Sequence, residues 1–161
     1  MSGESGVVAR LAGVIDELVA TEPAVVGDGD TVVALHRQLE RLGAVTTRAT
    51  GAFDASGQWQ TTGARSAAAW VATRTNMPMP TARRRVRLGR ALRHMAAAEA
   101  AWLAGDVGDA QVGLLARART PATASAFDRD EADLVQDARR LRFADFARVI
   151  AYWLLRADPD G

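Results

Sequence analysis

Between Val7 and Ala20, apolar residues fall at 7, 8, 11, 14, 15, 18 and 19, the spacing of a single stripe on an α-helix. That pattern predicts a helix with one buried side. TEPAVVGDGD (21–30) is a loop rich in Gly, Pro and Asp, and Asp30 or Thr31 can cap the helix that follows. Leu35, Leu39 and Leu42 then share one face of a helix running from 31 to about Ala55. SGQWQTTG (56–63) is a connector, after which Ser66 caps the short helix AAAWVATRT, with Trp70 and Val71 as its bulky apolar residues. Asn76 tolerates the left-handed conformation that ends a helix. In the turn MPMP, Pro78 blocks continuation and Pro80 suits a first helical turn.

The next helix starts near Met79 and is expected to reach about Ala104, with a bend near Met95 to Ala98 and Gly105 as its stop. Asp109 can cap a helix over 110–119, and TPATASAF (120–127) is a loop. Asp128 with Glu131 resembles a capping box opening a helix to Leu141. A last helix over 143–157 carries Phe146, Val149, Ile150, Trp153 and Leu154 at core spacing. No segment alternates as a strand does. The expected fold is all-α, about seven helices, with residues 1–30 forming an N-terminal helix and loop and 31–161 a helical domain, together one globular unit.

Length and composition agree: 161 residues with 48% hydrophobic content can sustain one core. Cysteine is absent, which excludes disulfides and thiolate metal sites. No N-terminal signal pattern occurs, and no apolar run reaches the roughly 18 residues of a membrane span. A soluble, cytoplasmic protein is expected.

Charge changes the picture more. All 20 basic residues are Arg, and net charge is only +1. Yet Ala55 to Ala98 holds eight Arg and no acid, while the remaining 12 Arg face 19 acids. Such asymmetry points to a polyanionic partner, or to pairing of the basic stretch with acids of the same molecule. Six of those arginines lie in TARRRVRLGRALRHM (81–95). At about 100° per residue, Arg83, Arg87, Arg90 and His94 fall within about 40° of Arg83, opposite Leu88, Leu92 and Met95. Arg84 and Arg85 flank the apolar stripe, where their stems can cover core edges.

Like charges at i,i+4 repel by a few tenths of a kcal/mol, so phosphates from outside or carboxylates from the C-terminal third are expected to compensate. The short helix, the turn and the arginine helix together resemble a helix-turn-helix, whose second helix offers its N-terminal residues to DNA. The candidate nucleic-acid contacts are Arg83, Arg84, Arg87 and Arg90, with Arg93 and His94 in support. Their expected role is phosphate positioning with weak sequence preference. The alternative is an interaction module whose basic ridge meets acidic helices or a partner domain.

No catalytic chemistry is predicted. His36 and His94 are isolated, and two distant His without Cys do not make a zinc site. Asp128, Asp130, Glu131 and Asp133 cluster where acids complement a helix dipole. Trp59, Trp70, Trp102 and Trp153 read as core residues, and no phosphate-binding or nucleophile motif occurs. Neither metal nor cofactor is expected.

The runs GARSAAAWVATRTNMPMPTARRRVRLGRAL, AAWLAGDVGDAQVGLLARA and WLLRADPDG, in this order, resemble the actinobacterial family of domain of unknown function 222 over about residues 30–161. The resemblance implies a domain that sits N-terminal to an HNH endonuclease module. It carries over no catalytic residue, and with two His and one Asn this chain lacks the HNH motif itself. The chain stops at DPDG where relatives continue, so a fragment or a short relative is expected. Two departures from the family pattern stand out. Pro78 occupies a position where a Ser or Thr cap is common. Met95-Ala96 replaces a Pro, which predicts a straighter arginine helix.

Overall fold

The computed structural model describes residues 5–160. Among them are eight α-helices and no strand: α1 (Gly6–Ala20), α2 (Gly29–Ser56), α3 (Ala67–Thr75), α4 (Met79–Leu92), α5 (Ala96–Ala104), α6 (Asp109–Ala118), α7 (Ala124–Arg140) and α8 (Phe143–Ala157), with a 3-10 turn over Gln58–Thr62. The protein is all-α. The chain divides into two compact units, Met1–His36 and Arg37–Gly161. No described helix is long and apolar enough to cross a membrane.

The smaller unit departs from the pattern reading. Ser5 caps α1, its Oγ accepting from the Val7 amide at 3.4 Å. No residue of α1 is buried, so the stripe beginning at Val7 does not form the expected core. Asp28, rather than Asp30 or Thr31, accepts the Thr31 amide at 3.0 Å before α2. Hydrogen bonding from the Thr31 side chain first, and from its amide, holds the Asp28 carboxyl below its usual range.

The leucine face of α2 is not its buried face either: Leu35 and Leu39 are exposed. The buried positions are Ala44, Thr47 and Gly51, about 120–180° around the helix from Leu35. Small residues face inward because α4 crosses α2 there at backbone distance. A Cβ on Gly89 would lie 2.8 Å from the Thr47 carbonyl oxygen and 2.9 Å from Gly51 Cα. A Cβ on Gly51 would lie 2.9 Å from the Gly89 carbonyl oxygen. Thr47, buried in this contact, donates its hydroxyl to Gly43 O at 2.8 Å and leaves no unsatisfied donor.

The larger unit has two apolar clusters. In one, Ala67, Ala68, Val71 and Ala72 of α3 pack on Ala82 and Val86 of α4. The local signals hold here: the Ala69 amide donates to Ser66 Oγ at 3.0 Å, and Asn76 ends α3 at φ 53°. The other cluster gathers Leu88, Leu92, Met95, Trp102, Leu115, Phe127, Phe146 and Ile150. The α8 stripe delivers Phe146 and Ile150 to it, and Trp153 meets Phe127 edge-on with ring centroids 6.0 Å apart.

Three expectations fail in this cluster. At the bend expected near Met95 the arginine helix breaks, rather than straightening or continuing to Ala104. It stops at Leu92, and Met95 (φ −136°, ψ 59°) opens α5. The amides of His94 and Met95 turn back onto Ala91 O and Leu92 O, and Met95 is fully buried. Met95 nevertheless packs in the same buried cluster as Leu88 and Leu92. DRDE is not a capping box, because α7 starts at Ala124, one turn earlier. Glu131 instead accepts the Ala98 amide of α5 at 3.0 Å, and Thr123 closes the 118–123 turn through Ala118 O. Asp109 is the first residue of α6, not its cap; Glu40 Oε2 takes its amide at 2.8 Å.

The crossing yields a direct test. Gly89→Ala adds a methyl into backbone contact and is expected to destabilise by about 1–3 kcal/mol, the usual overpacking range. Gly13→Ala, with nothing within 4 Å of the added Cβ on α1, should be neutral or stabilise by up to about 1 kcal/mol. Thermal or urea unfolding of the two variants measures the contrast; equal effects would remove the crossing from the account.

Candidate nucleic-acid interface

Residues 79–92 form a helix despite their charge because its other side is well buried. Ala82, Val86, Leu88, Gly89 and Leu92 cover the inward arc. Pro78 precedes α4 without a side-chain cap, consistent with its missing hydroxyl. Arg85 is half-buried and forms no ion pair among the described residues; the other five arginines of 81–95, with His94, divide into three groups.

The first group is tied to acids on both flanks. On one flank Arg90 reaches α2: Nε and Nη2 donate to Asp54 at 2.7 and 2.8 Å. The Asp54 side chain is 9% exposed, against 57% for Arg90. That hydrogen-bonded guanidinium holds the Asp54 carboxyl below its usual range. On the other flank Arg84 reaches α6, with Nη1 and Nη2 donating to the two Asp109 oxygens at 2.9 Å each. The bond raises the Arg84 pKa, so its charge is fixed.

The second group consists of Arg93 and His94. Arg93 Nη2 donates to the Gly51 carbonyl at 2.7 Å. His94 lies beyond the end of α4 and is not part of its ridge. It sits near Asp128, whose carboxyl is held low first by Arg119 and more weakly by His94.

The third group is Arg83 and Arg87. Both are exposed, and among the described residues neither forms an ion pair. They stand at the crest of α4, between the two clamped flanks.

Beside the crest, a cleft of about 350 Å³ separates α4 from α6. Leu88, Ala91, Gly113 and Ala116 make its floor; Arg84, Arg87 and Arg117 line its rim. A Cβ on Gly113 would sit 2.8 Å from Arg84 Nη2 and 3.7 Å from Arg117 Nη1. The glycine therefore lets two guanidinium groups lie close together over α6. Arg117 has no ion-pair partner among the described residues, so of the three arginines lining the cleft only Arg84 has a carboxylate partner, Asp109. Cations this close over an apolar floor favour an anion between them.

A second cleft, of about 340 Å³, is lined by Thr62, Arg65, Trp70, Thr73 and Arg74. Arg74 lies 5.3 Å above the Trp70 ring, and the Trp70 Nε1 is shut from solvent without a partner.

The acids of the C-terminal helices do not neutralise the ridge. Asp128 pairs with Arg119, Asp137 with Arg140 and Asp145 with Arg148. Asp130 takes Arg129 and also accepts Trp153 Nε1 at 2.9 Å. The compensating acids are Asp54, which borders the acid-free stretch, and Asp109, which lies beyond it at the start of α6. Pattern reasoning passed over Asp54, Gly113 and Arg117, and read Asp109 only as a helix cap. Asp54 carried a faint signal as the last acid before that stretch; Arg117 carried none, since only tertiary packing brings it to Arg87. Among the described residues, no group of three or more His, Cys, Asp or Glu could hold a metal.

The Asp54–Arg90 bond predicts a pH effect. A carboxyl whose pKa is lower in the folded than in the unfolded chain adds stability above its unfolded value of about 3.9, and loses it as pH falls through the folded value. Because Arg90 is more than half exposed, the gain is screened to about 1 kcal/mol. Asp54→Asn is therefore expected to be less stable than the wild type near neutrality, with the gap closing below about pH 4. Unfolding midpoints from neutral to acid pH measure it, and a constant gap would contradict the assignment.

A family model described as "Domain of unknown function (DUF222)" matches residues 30–161. No curated protein and no solved structure matches the chain.

Proposed function

This chain belongs to the DUF222 family, and we propose that it is a non-catalytic helical module that binds DNA phosphates through the crest of α4. One observation carries the reading: Arg83 and Arg87 are exposed and, among the described residues, without ion pairs, and Arg117 across the cleft adds a further unpaired cation. Arginine binds phosphate through two parallel N–H bonds. The pair α3–α4, joined by three residues, offers these groups from the N-terminal half of its second helix, as a helix-turn-helix does. Arg84 and Arg90 become supporting residues, since their charge is already partly spent on Asp109 and Asp54. In the setting implied by the resemblance, the module would hold DNA for an HNH nuclease domain following it.

A second reading has its own support. The bidentate pairs Arg84–Asp109 and Arg90–Asp54 show carboxylates meeting this helix, so an acidic partner protein could occupy the same crest.

Titration of duplex DNA across a salt series separates them. Each phosphate contact contributes about 0.9 to the slope of log Kobs against log salt concentration. Replacing Arg83, Arg87 and Arg117 together by Ala should flatten that slope by about 2–3. Arg90→Ala should leave it almost unchanged, because Asp54 already offsets that charge. No binding at low salt would end the DNA reading for this chain; binding that survives the triple replacement would move the site elsewhere.

A further inference from the structure

The apolar side of α1 has no cover: Val7, Leu11, Val14, Ile15 and Leu18 are 63%, 37%, 54%, 43% and 41% exposed. A stripe so regular on an uncovered helix usually marks a contact surface. Val7, Leu11, Val14 and Leu18 follow one another at four, three and four residues, the a/d spacing of a coiled coil.

The residues beside the stripe decide the partner. On a helical projection, Arg10 and Glu17 lie about 60–80° to one side of Val7. Val8, Ile15 and Val19 lie about 80–120° to the other side. When two copies of such a helix pack antiparallel about a two-fold axis, like flanks face each other. Leu11 then meets Val14 of the second copy, and Val7 meets Leu18. Arg10 comes within reach of Glu17 of the second copy, and Glu17 of its Arg10, an isologous arrangement in which each contact occurs twice. On the other side Ile15 meets Val8. Parallel packing would set both charged residues against Ile15 and Val8 instead, leaving the charges unpaired and apolar surface wet. Among the described residues neither Arg10 nor Glu17 forms an ion pair within its own chain.

We propose that α1 is a self-association surface, packing antiparallel on α1 of a second copy of this chain. The surface is short, since 15 residues of helix span about 22 Å. Val32, Val33 and Leu35 of the same unit are also exposed. The dimer is therefore reversible and concentration-dependent.

Sedimentation velocity of the full chain over a concentration series tests this, with circular dichroism to verify that each variant keeps its helices. The wild type is expected to move from monomer to dimer, and Leu11→Glu to stay monomeric. Arg10→Glu and Glu17→Arg should each weaken the dimer by roughly tenfold, as like charges then face each other. The double variant Arg10→Glu/Glu17→Arg should restore wild-type affinity. A wild type that remains monomeric overturns the proposal. So does a dimer indifferent to Leu11→Glu, or single reversals that the double reversal does not rescue.

Discussion

The close crossing of α2 and α4 fixes where the cations of this protein can go. Gly51 and Gly89 let the two backbones touch, and two of the arginine bonds follow from that register. Asp54 lies one turn beyond Gly51, and Arg90 directly follows Gly89, so the carboxylate and guanidinium arrive together. Arg93, a turn past Gly89, reaches the Gly51 carbonyl itself. Each bond is individually modest. Their geometry depends on an interhelical approach that any side chain at 51 or 89 would widen. The far flank, Arg84 with Asp109, depends instead on α6.

Carboxylates remote in sequence finish the frame. Glu40 Oε2 accepts from both the Trp102 indole and the Asp109 amide, and Glu131 accepts the Ala98 amide. Helix N-termini leave backbone donors unsatisfied and favour negative charge. In α5 and α6 an acid from another helix helps meet both needs, and in α6 the Gln111 side chain also accepts the Gly108 amide. The same acids tie α2 to α5 and α6, and α7 to α5, so capping and tertiary packing become one set of contacts. Gly108 suits this arrangement: a Cβ there would lie 3.0 Å from Glu40 Cδ.

What could be read from the chain follows the range of the interaction. Ser66, Asn76, Pro80 and the α8 stripe act within one turn of themselves, and each appears as the pattern implies. The all-α class follows from many such signals. Glu40 and Asp109 are 69 residues apart, and Glu131 and Ala98 are 33 apart. No local spacing announces those pairs, so Asp109 and DRDE looked like caps. The leucines of α2 misled for a different reason. An apolar stripe says that a face needs a partner, not that its own unit supplies one, while the face that packs on α4 is made of small residues with little hydropathic signal. For the site, periodicity found the arginine crest, but only the packing of α2 and α6 separates neutralised arginines from free ones.

That separation bears on why Arg stands at 83 and 87. Folding alone does not ask for it. The inward arc of α4 is closed by Ala82, Val86, Leu88, Gly89 and Leu92, and neither crest residue adds to that core. As an i,i+4 pair the two repel by a few tenths of a kcal/mol, whereas an acid at 83 would attract Arg87 by a similar amount. A helix serving only as scaffold would gain from that exchange. The acids that are available sit at the flanks, on Asp54 and Asp109, where they anchor α4 to its neighbours and leave the crest charged. Arg117 intensifies the local field from α6, beside Arg84, for which Gly113 makes room. The arrangement keeps the scaffold's own electrostatics at the edges and leaves the centre open to an anion that is not part of the fold.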